Sequence, residues 1–182
     1  MNPVADDVQQ GANATKGAGS ASEDLWRFSL TYYARPGVAA ALVALQDRER
    51  LDVSLILFAL WLGTSGRGRL DRQGLTAADR AVRAIRRDIV EPLRALRRRL
   101  RSHPDPDIQR LREAVKAIEI EAEKTALHRL AASLAAPDAQ VDRVTRLAAA
   151  HANLALCLGP DAMRSAEAAV IRDRLALFVA ER

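Results

Sequence analysis

The chain has 182 residues, a net charge of +5 and 49% hydrophobic residues, but only 4% aromatic ones. This length suits one domain, and a composition rich in alanine and leucine is typical of helices rather than of β-sandwiches. The single cysteine, Cys157, excludes an internal disulfide bond. The apolar run Val53 to Leu62 is only about half as long as a membrane-spanning helix requires. These features predict a soluble, cytoplasmic, all-α protein.

The first 21 residues differ in composition from the rest. They hold Asp6, Asp7 and mostly small or polar residues, without the apolar segment of a secretory signal. We expect residues 1–21 to be a disordered tail, because they have almost nothing to bury. Residues 22–182 are expected to form one all-helical domain.

Helical periodicity and capping residues run through that domain, and no stretch reads as a convincing strand. We predict a single compact domain of about seven helices, over residues 23–34, 36–48, 53–62, 76–100, 106–135, 137–159 and 162–179. The third helix is apolar on every side, so we expect it to lie at the centre of the packing. Thr76 should cap the fourth helix, whose apolar stripe is Val82, Ile85, Ile89, Leu93, Leu96 and Leu100. Because this stripe continues past Pro92, we expect the proline to kink the helix rather than end it.

A glycine-rich stretch, GTSGRG at residues 63–68, follows the apolar third helix. A phosphate-binding loop usually follows a strand and ends in Gly-Lys-Ser or Gly-Lys-Thr. Neither condition holds here, so the stretch predicts a flexible connection rather than a nucleotide site.

Residues 67–101 contain twelve arginines and four acidic residues, so this stretch carries a charge of +8 and the remainder carries −3. Several arginines share the face of the fourth helix opposite its apolar stripe: Arg80, Arg83, Arg87, Arg94, Arg98 and Arg101. Guanidinium groups suit phosphates and carboxylates, so this face could bind an acidic protein, a nucleic acid or an anionic lipid surface. The alternative is an ordinary solvated face. The absence of interleaved aromatic residues argues against base stacking.

Glu119 and Glu123 lie one helical turn apart, so their like charges meet on one face. If the fourth and fifth helices form a hairpin, Arg86 lies at their level, and we expect it to neutralise a half-buried ion-pair cluster. The alternative is a pair of metal ligands or acid–base carboxylates. The Glu-x-x-His motif of bundle metal sites does not occur in the sequence, which therefore predicts no metal and no cofactor.

His151 lies in an apolar row of the sixth helix with Val144, Leu147, Leu154 and Leu158, which favours a hydrogen-bonded core histidine over a ligand or a catalyst. Cys157 follows six residues later on another side of the helix, so the spacing does not support a Cys–His nucleophilic pair. No catalytic residue is assigned. A weaker enzyme hypothesis would use Glu119, Glu123 and His151 together.

A candidate pocket lies in the first third of the chain, with Trp26, Tyr33, Asp52 and Trp61. Core packing accounts for the aromatic side chains and helix capping accounts for Asp52. The functional alternative is an apolar pocket for a small ligand or lipid, formed by the first three helices.

Three segments resemble a family of uncharacterised bacterial proteins, labelled domain of unknown function 2390. They are LWRFSLTYYARPGVAAALVALQDRERLDVSLILFALWLG at residues 25–63, PLRALRRRL at 92–100 and VKAIEIEAEK at 115–124. The resemblance implies an all-helical cytosolic protein and implies no reaction or catalytic residue.

The function we expect is that of a non-enzymatic interaction protein. Its partner would be an acidic protein or a nucleic acid that docks on Arg80, Arg83, Arg87, Arg94 and Arg98. The alternative is the small-ligand or lipid-binding bundle.

Overall fold

The structure is a computed structural model that describes residues 21–132, 134 and 140–181. The helices are α1 (residues 21–33), α2 (Val38–Glu49), α3 (Val53–Thr64), α4 (Arg72–Ile85), α5 (Glu91–Arg99), α6 (Pro106–Ala131), α7 (Arg143–Met163) and α8 (Ala166–Ala180). A π-helical turn, Arg86–Val90, joins α4 to α5 in one continuous rod, Arg72–Arg99. Counted with this rod as one helix, seven helices and no strand occur in the described ranges, which confirms the predicted all-α domain.

Acidic residues cap several helix starts. Asp52 accepts hydrogen bonds from Ser54 and Leu55, as predicted for the start of α3. The predicted cap Thr76 is wrong, because α4 already begins at Arg72, capped by Asp71.

Two predicted boundaries and the predicted tail fall largely on residues outside the described ranges. The two boundaries are the end of α6 near residue 135 and the start of α7 at residue 137. The described part of α7 begins at Arg143. Of the tail, only Ala21 is described, and it is helical and buried.

The core joins the two ends of the described chain. One face of α1 buries Leu25, Phe28 and Tyr32. The Phe28 and Tyr32 rings lie 5.5 and 5.7 Å from the ring of Phe178 in α8, in edge-to-face contact. The Tyr32 hydroxyl donates a hydrogen bond to the carbonyl oxygen of Ile171, which satisfies its polar end inside this core.

The closest helix pair is α3 with α7. Nine consecutive residues of α3, from Leu55 to Gly63, are buried. At Gly63 the two backbones nearly touch, since a Cβ atom there would lie 2.2 Å from the backbone nitrogen of Ala150. The facing side of α7 carries small residues, Ala149 and Ala150, so this approach depends on small residues on both helices.

Asn153 of α7 is fully buried and holds the connection after α3. Its Nδ2 group donates to the carbonyl oxygens of Ala59 and Gly68, at 3.0 and 3.1 Å. Its Oδ1 atom accepts from the Leu70 N–H group at 2.7 Å. The glycine-rich stretch is therefore a connection held in place by the buried Asn153 side chain. No helix begins at its glycines, and the next helix, α4, begins after it at Arg72.

The π turn changes which side chains of the rod face the core. The Glu91 N–H group bonds to the Arg86 carbonyl oxygen, five residues back. The turn lies directly before Pro92, which lacks an N–H group and crowds the carbonyl four residues earlier. The helix passes through Pro92, as predicted, but the added residue breaks the predicted stripe. Ile89 is exposed and Val90 is buried in its place.

We expect Gly63→Ala to lower the free energy of unfolding by about 2 kcal/mol or more, because a methyl group would force α3 and α7 apart. Denaturant unfolding followed by circular dichroism measures the loss. Gly74→Ala is the matched control, because the nearest atom to its new Cβ is the end of the flexible Leu70 side chain, at 3.0 Å. Equal stability of the two variants would contradict the close approach.

Candidate functional site

The rod carries the largest group of basic side chains, and these differ in what neutralises them. Arg94 and Arg97 point inward and hold the two glutamates of α6. Arg94 donates from Nε to Glu119 at 3.2 Å and from Nη2 to Glu123 at 2.5 Å. Arg97 donates to both carboxylate oxygens of Glu119, at 2.5 and 3.0 Å. Gln46 of α2 accepts a further bond from Arg94 at 2.6 Å, so the cluster also joins the rod to α2.

This cluster is well shielded, since the Glu119 side chain is 6% exposed and that of Arg94 is 21% exposed. Burial pushes the pKa of Glu119 upward, but hydrogen bonds from Arg97 and Arg94 outweigh it and lower the pKa. Its contribution to stability is therefore present at neutral pH and is lost as the pH falls through that lowered pKa. Burial raises the pKa of Glu123, and the attraction of Arg94 only partly offsets this.

Two sequence predictions need correction here. A neutralised glutamate pair was expected and is found, but its partners are Arg94 and Arg97, not Arg86. Arg94 was also assigned to the solvent-facing row and lies in the ion-pair cluster instead. The physical reason is the π turn, which sets the residues after it back by one position and turns Arg94 and Arg97 towards α6.

Arg86 bridges a second set of carboxylates. It donates to Asp52 at 2.6 Å and to Asp79 at 2.7 Å, and so links the start of α3 to α4. Arg83 also bonds to Asp79, at 2.6 Å. Arg87 pairs with its neighbour Asp88 at the surface. The charges of Arg83 and Arg87, both assigned to partner binding, are thus partly balanced within the rod.

The remaining arginines of the rod and its end are exposed, and no carboxylate of the described chain forms a salt bridge with them. They are Arg72, Arg80, Arg98, Arg99 and Arg101. Three of the five lie within four residues at the end of α5. Local charge density is therefore highest there, and sequence reasoning had assigned only Arg98 of these three to the contact.

The predicted pocket residues have contacts with different partners. Trp26 lies against the Lys124 ammonium group, 5.6 Å from the ring centroid, and Trp61 lies against the guanidinium group of Arg67 at 4.3 Å. The Asp52 carboxylate caps the start of α3 and accepts a hydrogen bond from Arg86. Tyr33 lies near the glutamate cluster, where burial and then the charge of Glu123 raise its pKa. No hydrogen bond, ion pair or ring contact joins any two of these four residues, all of which belong to the described part of the chain.

A cleft of about 370 Å³ lies between α3, α4 and α7. It includes Asp52 but none of the three aromatic residues predicted to line a pocket with it. Its wall consists of both apolar and polar residues: Leu51, Asp52, Leu55, Ile56, Leu75, Thr76, Asp79, Arg83 and Cys157. Burial, followed by the charge of Asp52, raises the pKa of the Cys157 thiol to about 12, so it stays protonated and a poor nucleophile at neutral pH.

His151 is not brought together with the glutamates. It is half-buried on α7, where burial and the charge of Arg172 in α8 lower its pKa. Its Nε2 atom is buried and makes no hydrogen bond within the described chain, so the predicted hydrogen bonding is incomplete. Val144, placed in the same buried row by the sequence analysis, is 78% exposed. The structure thus gives no support to an active site built from Glu119, Glu123 and His151.

Fold and site together define a small all-helical protein that carries a basic rod. None of the helices described is long and apolar enough to cross a membrane. The profile of the family described as "Protein of unknown function (DUF2390)" matches residues 24–130, so the chain belongs to that family. No curated protein and no solved structure matches the chain.

Asn153, Gly63 and Arg97 are important residues that the sequence analysis did not single out. A lone asparagine within a row of alanines and leucines on α7 was a usable signal for Asn153, since a buried amide must find partners. The run of alanines around it also indicated a close helix contact, because only small side chains allow one. Nothing in the local sequence distinguished Arg97 from its neighbouring arginines.

We expect Arg94→Met to destabilise the protein by about 3 kcal/mol, because it leaves Glu119 and Glu123 with too little positive charge in a shielded site. Arg98→Met, on the exposed part of the same helix, should leave the free energy of unfolding nearly unchanged. Chemical denaturation of both variants at pH 7 gives the comparison. If Arg94→Met unfolded like the Arg98 variant, the cluster would not be a structural element.

Proposed function

We propose that the protein is a non-enzymatic, cytoplasmic interaction protein that binds an anionic partner through the rod. The contact combines four of the five predicted residues, Arg80, Arg83, Arg87 and Arg98, with Arg99 and Arg101 at the end of α5. Arg94 is not part of it, because its charge is used inside the molecule.

One observation carries this proposal: Arg98, Arg99 and Arg101 are exposed side by side and form no salt bridge with the described chain. A positive charge at the end of α5 complements the helix dipole, but the dipole amounts to about half a negative charge there and does not balance three guanidinium groups. Three adjacent guanidinium groups repel one another, and a partner bearing carboxylates or phosphates removes that repulsion.

Charge reversal tests the contact. The triple variant R98E/R99E/R101E should lose its partner by at least about tenfold in affinity, because three attractive pairs become repulsive. Full-length protein is purified at low salt from its source cells, and the bound material is identified by mass spectrometry and ultraviolet absorbance. Melting temperatures should stay close to that of the wild type, since all three residues are exposed.

The matched control is R27E/R143E/R164E, which makes the same charge change at three exposed arginines that lie neither on the rod nor on α6. It should keep the partner. Equal retention by both triple variants, or a collapse of the melting temperature in the first, would refute the proposal.

A second candidate is small-ligand binding in the cleft between α3, α4 and α7. Its volume of about 370 Å³ lies in the range of small-molecule sites, and its wall joins apolar side chains to Asp52, Asp79 and Arg83. Native mass spectrometry of protein from the same cells tests it. A bound small molecule that is lost from Leu55→Trp, which fills the cleft, would favour this function over the first.

A further inference from the structure

Residues 91–118 form a helical hairpin that stands out from the core. It comprises α5, the turn, and the first half of α6, and we call it the basic hairpin. None of its residues is fully buried, whereas α6 beyond it contributes Ala126, Leu127, Leu130 and Ala131 to the core. The basic hairpin contains eight basic and four acidic residues.

An apolar row runs along one flank of the basic hairpin. Leu111, Ala114 and Ile118 follow one another at spacings of three and four, so they share a face of α6. All three are exposed, Leu111 at 57% and Ile118 at 56%. The face lies beside the one that carries Glu119 towards α5. No other described helix buries it.

The row lies alongside the unpaired arginines. The bonds from Arg97 to Glu119 and from Gln109 to the Leu100 carbonyl oxygen fix the register of the two antiparallel helices. Residues 94–101, which are the end of α5 and the two residues after it, therefore run beside residues 111–118 of α6. Exposed apolar side chains and three unpaired guanidinium groups occupy the same length of the hairpin, about 10 Å at 1.5 Å per residue.

We infer that this surface binds an amphipathic, acidic α-helix of a partner protein. The inference rests on the proposed function and names the partner of the same basic surface. Apolar side chains on the partner helix, three or four residues apart, pack against Leu111, Ala114 and Ile118. Carboxylates on either side of that stripe reach Arg98, Arg99 and Arg101, which gives the pairing its charge complementarity.

The boundaries of the row favour a helix over a lipid or nucleic-acid surface. Asp107 and Glu121 lie on the same face as the row, one turn before Leu111 and one turn after Ile118. Asp107 is paired with Arg110, so phosphates placed along this face would be repelled mainly by the Glu121 carboxylate. A single docked helix can turn its apolar stripe to the row and place basic or neutral residues at these two ends.

Site-specific photocrosslinking tests the inference. Ala114 is replaced by photoreactive p-benzoylphenylalanine, which leaves Leu111 and Ile118 in place, and the crosslinked peptide is sequenced from source cells. The matched control carries the same residue at Ala148, which is exposed on α7, outside the basic hairpin. We expect crosslinks from position 114 about tenfold more frequent than from 148, and within an acidic segment with helical apolar periodicity. Lipid, nucleic acid, a second copy of this chain, or equal yields at both positions would overturn the inference.

Two variants separate this inference from the proposed function. L111S/I118S keeps every charge and changes only exposed residues, so the fold should persist. We expect it to reduce crosslinking from position 114 about tenfold, as R98E/R99E/R101E also should. If only the charge variant reduces partner binding, the anionic contact is supported and the inference of a docked helix is wrong. If neither variant reduces partner binding, both proposals are wrong.

Discussion

The approach of α3 to α7 at Gly63 and Ala150 determines where the basic surface lies. Because no side chain separates the two backbones, Asn153 reaches across to the connection after α3 and fixes the chain immediately before α4. The other end of α3 holds the rod a second time, through the pair between Asp52 and Arg86. A helix without a polar face thus orients a rod that exposes most of its arginines.

The rod shows how one residue type can serve two purposes within a few turns. Guanidinium groups that face carboxylates inside the molecule, such as Arg94 and Arg97, join helices and carry little charge outward. Those at the end of α5 have no such partner and set the electrostatic character of the surface. Counting arginines therefore overstates the charge that a partner meets, and the distribution of internal carboxylates is the better guide.

Helical periodicity and capping chemistry were enough to predict the fold class, the helix order and the passage of the fourth helix through Pro92. They did not predict which way the side chains point after the π turn, because a pattern with a 3.6-residue period does not reveal where one extra residue is inserted. Ile89 and Arg94 were misplaced for that reason alone. The row on α7 was misplaced only at its start, where Val144 is exposed and the small residues Ala149 and Ala150 make the contact, whereas Leu154 and Leu158 of that row are buried. Pairings such as Arg86 with Asp52 join segments 34 residues apart and require the tertiary structure.

The basic hairpin also determines how the molecule opens. With no fully buried residue between positions 91 and 118, little apolar area resists its separation from the domain, and the ion-pair cluster of Arg94, Arg97, Glu119 and Glu123 supplies most of the attachment at its base. We therefore expect the hairpin to open as a local unit, with amides that exchange with solvent at a lower free energy than those of α3. Salt or acid that weakens the ion-pair cluster should therefore separate the hairpin from the domain first. The aromatic contacts between α1 and α8 and the packing of α3 on α7 should persist under these conditions.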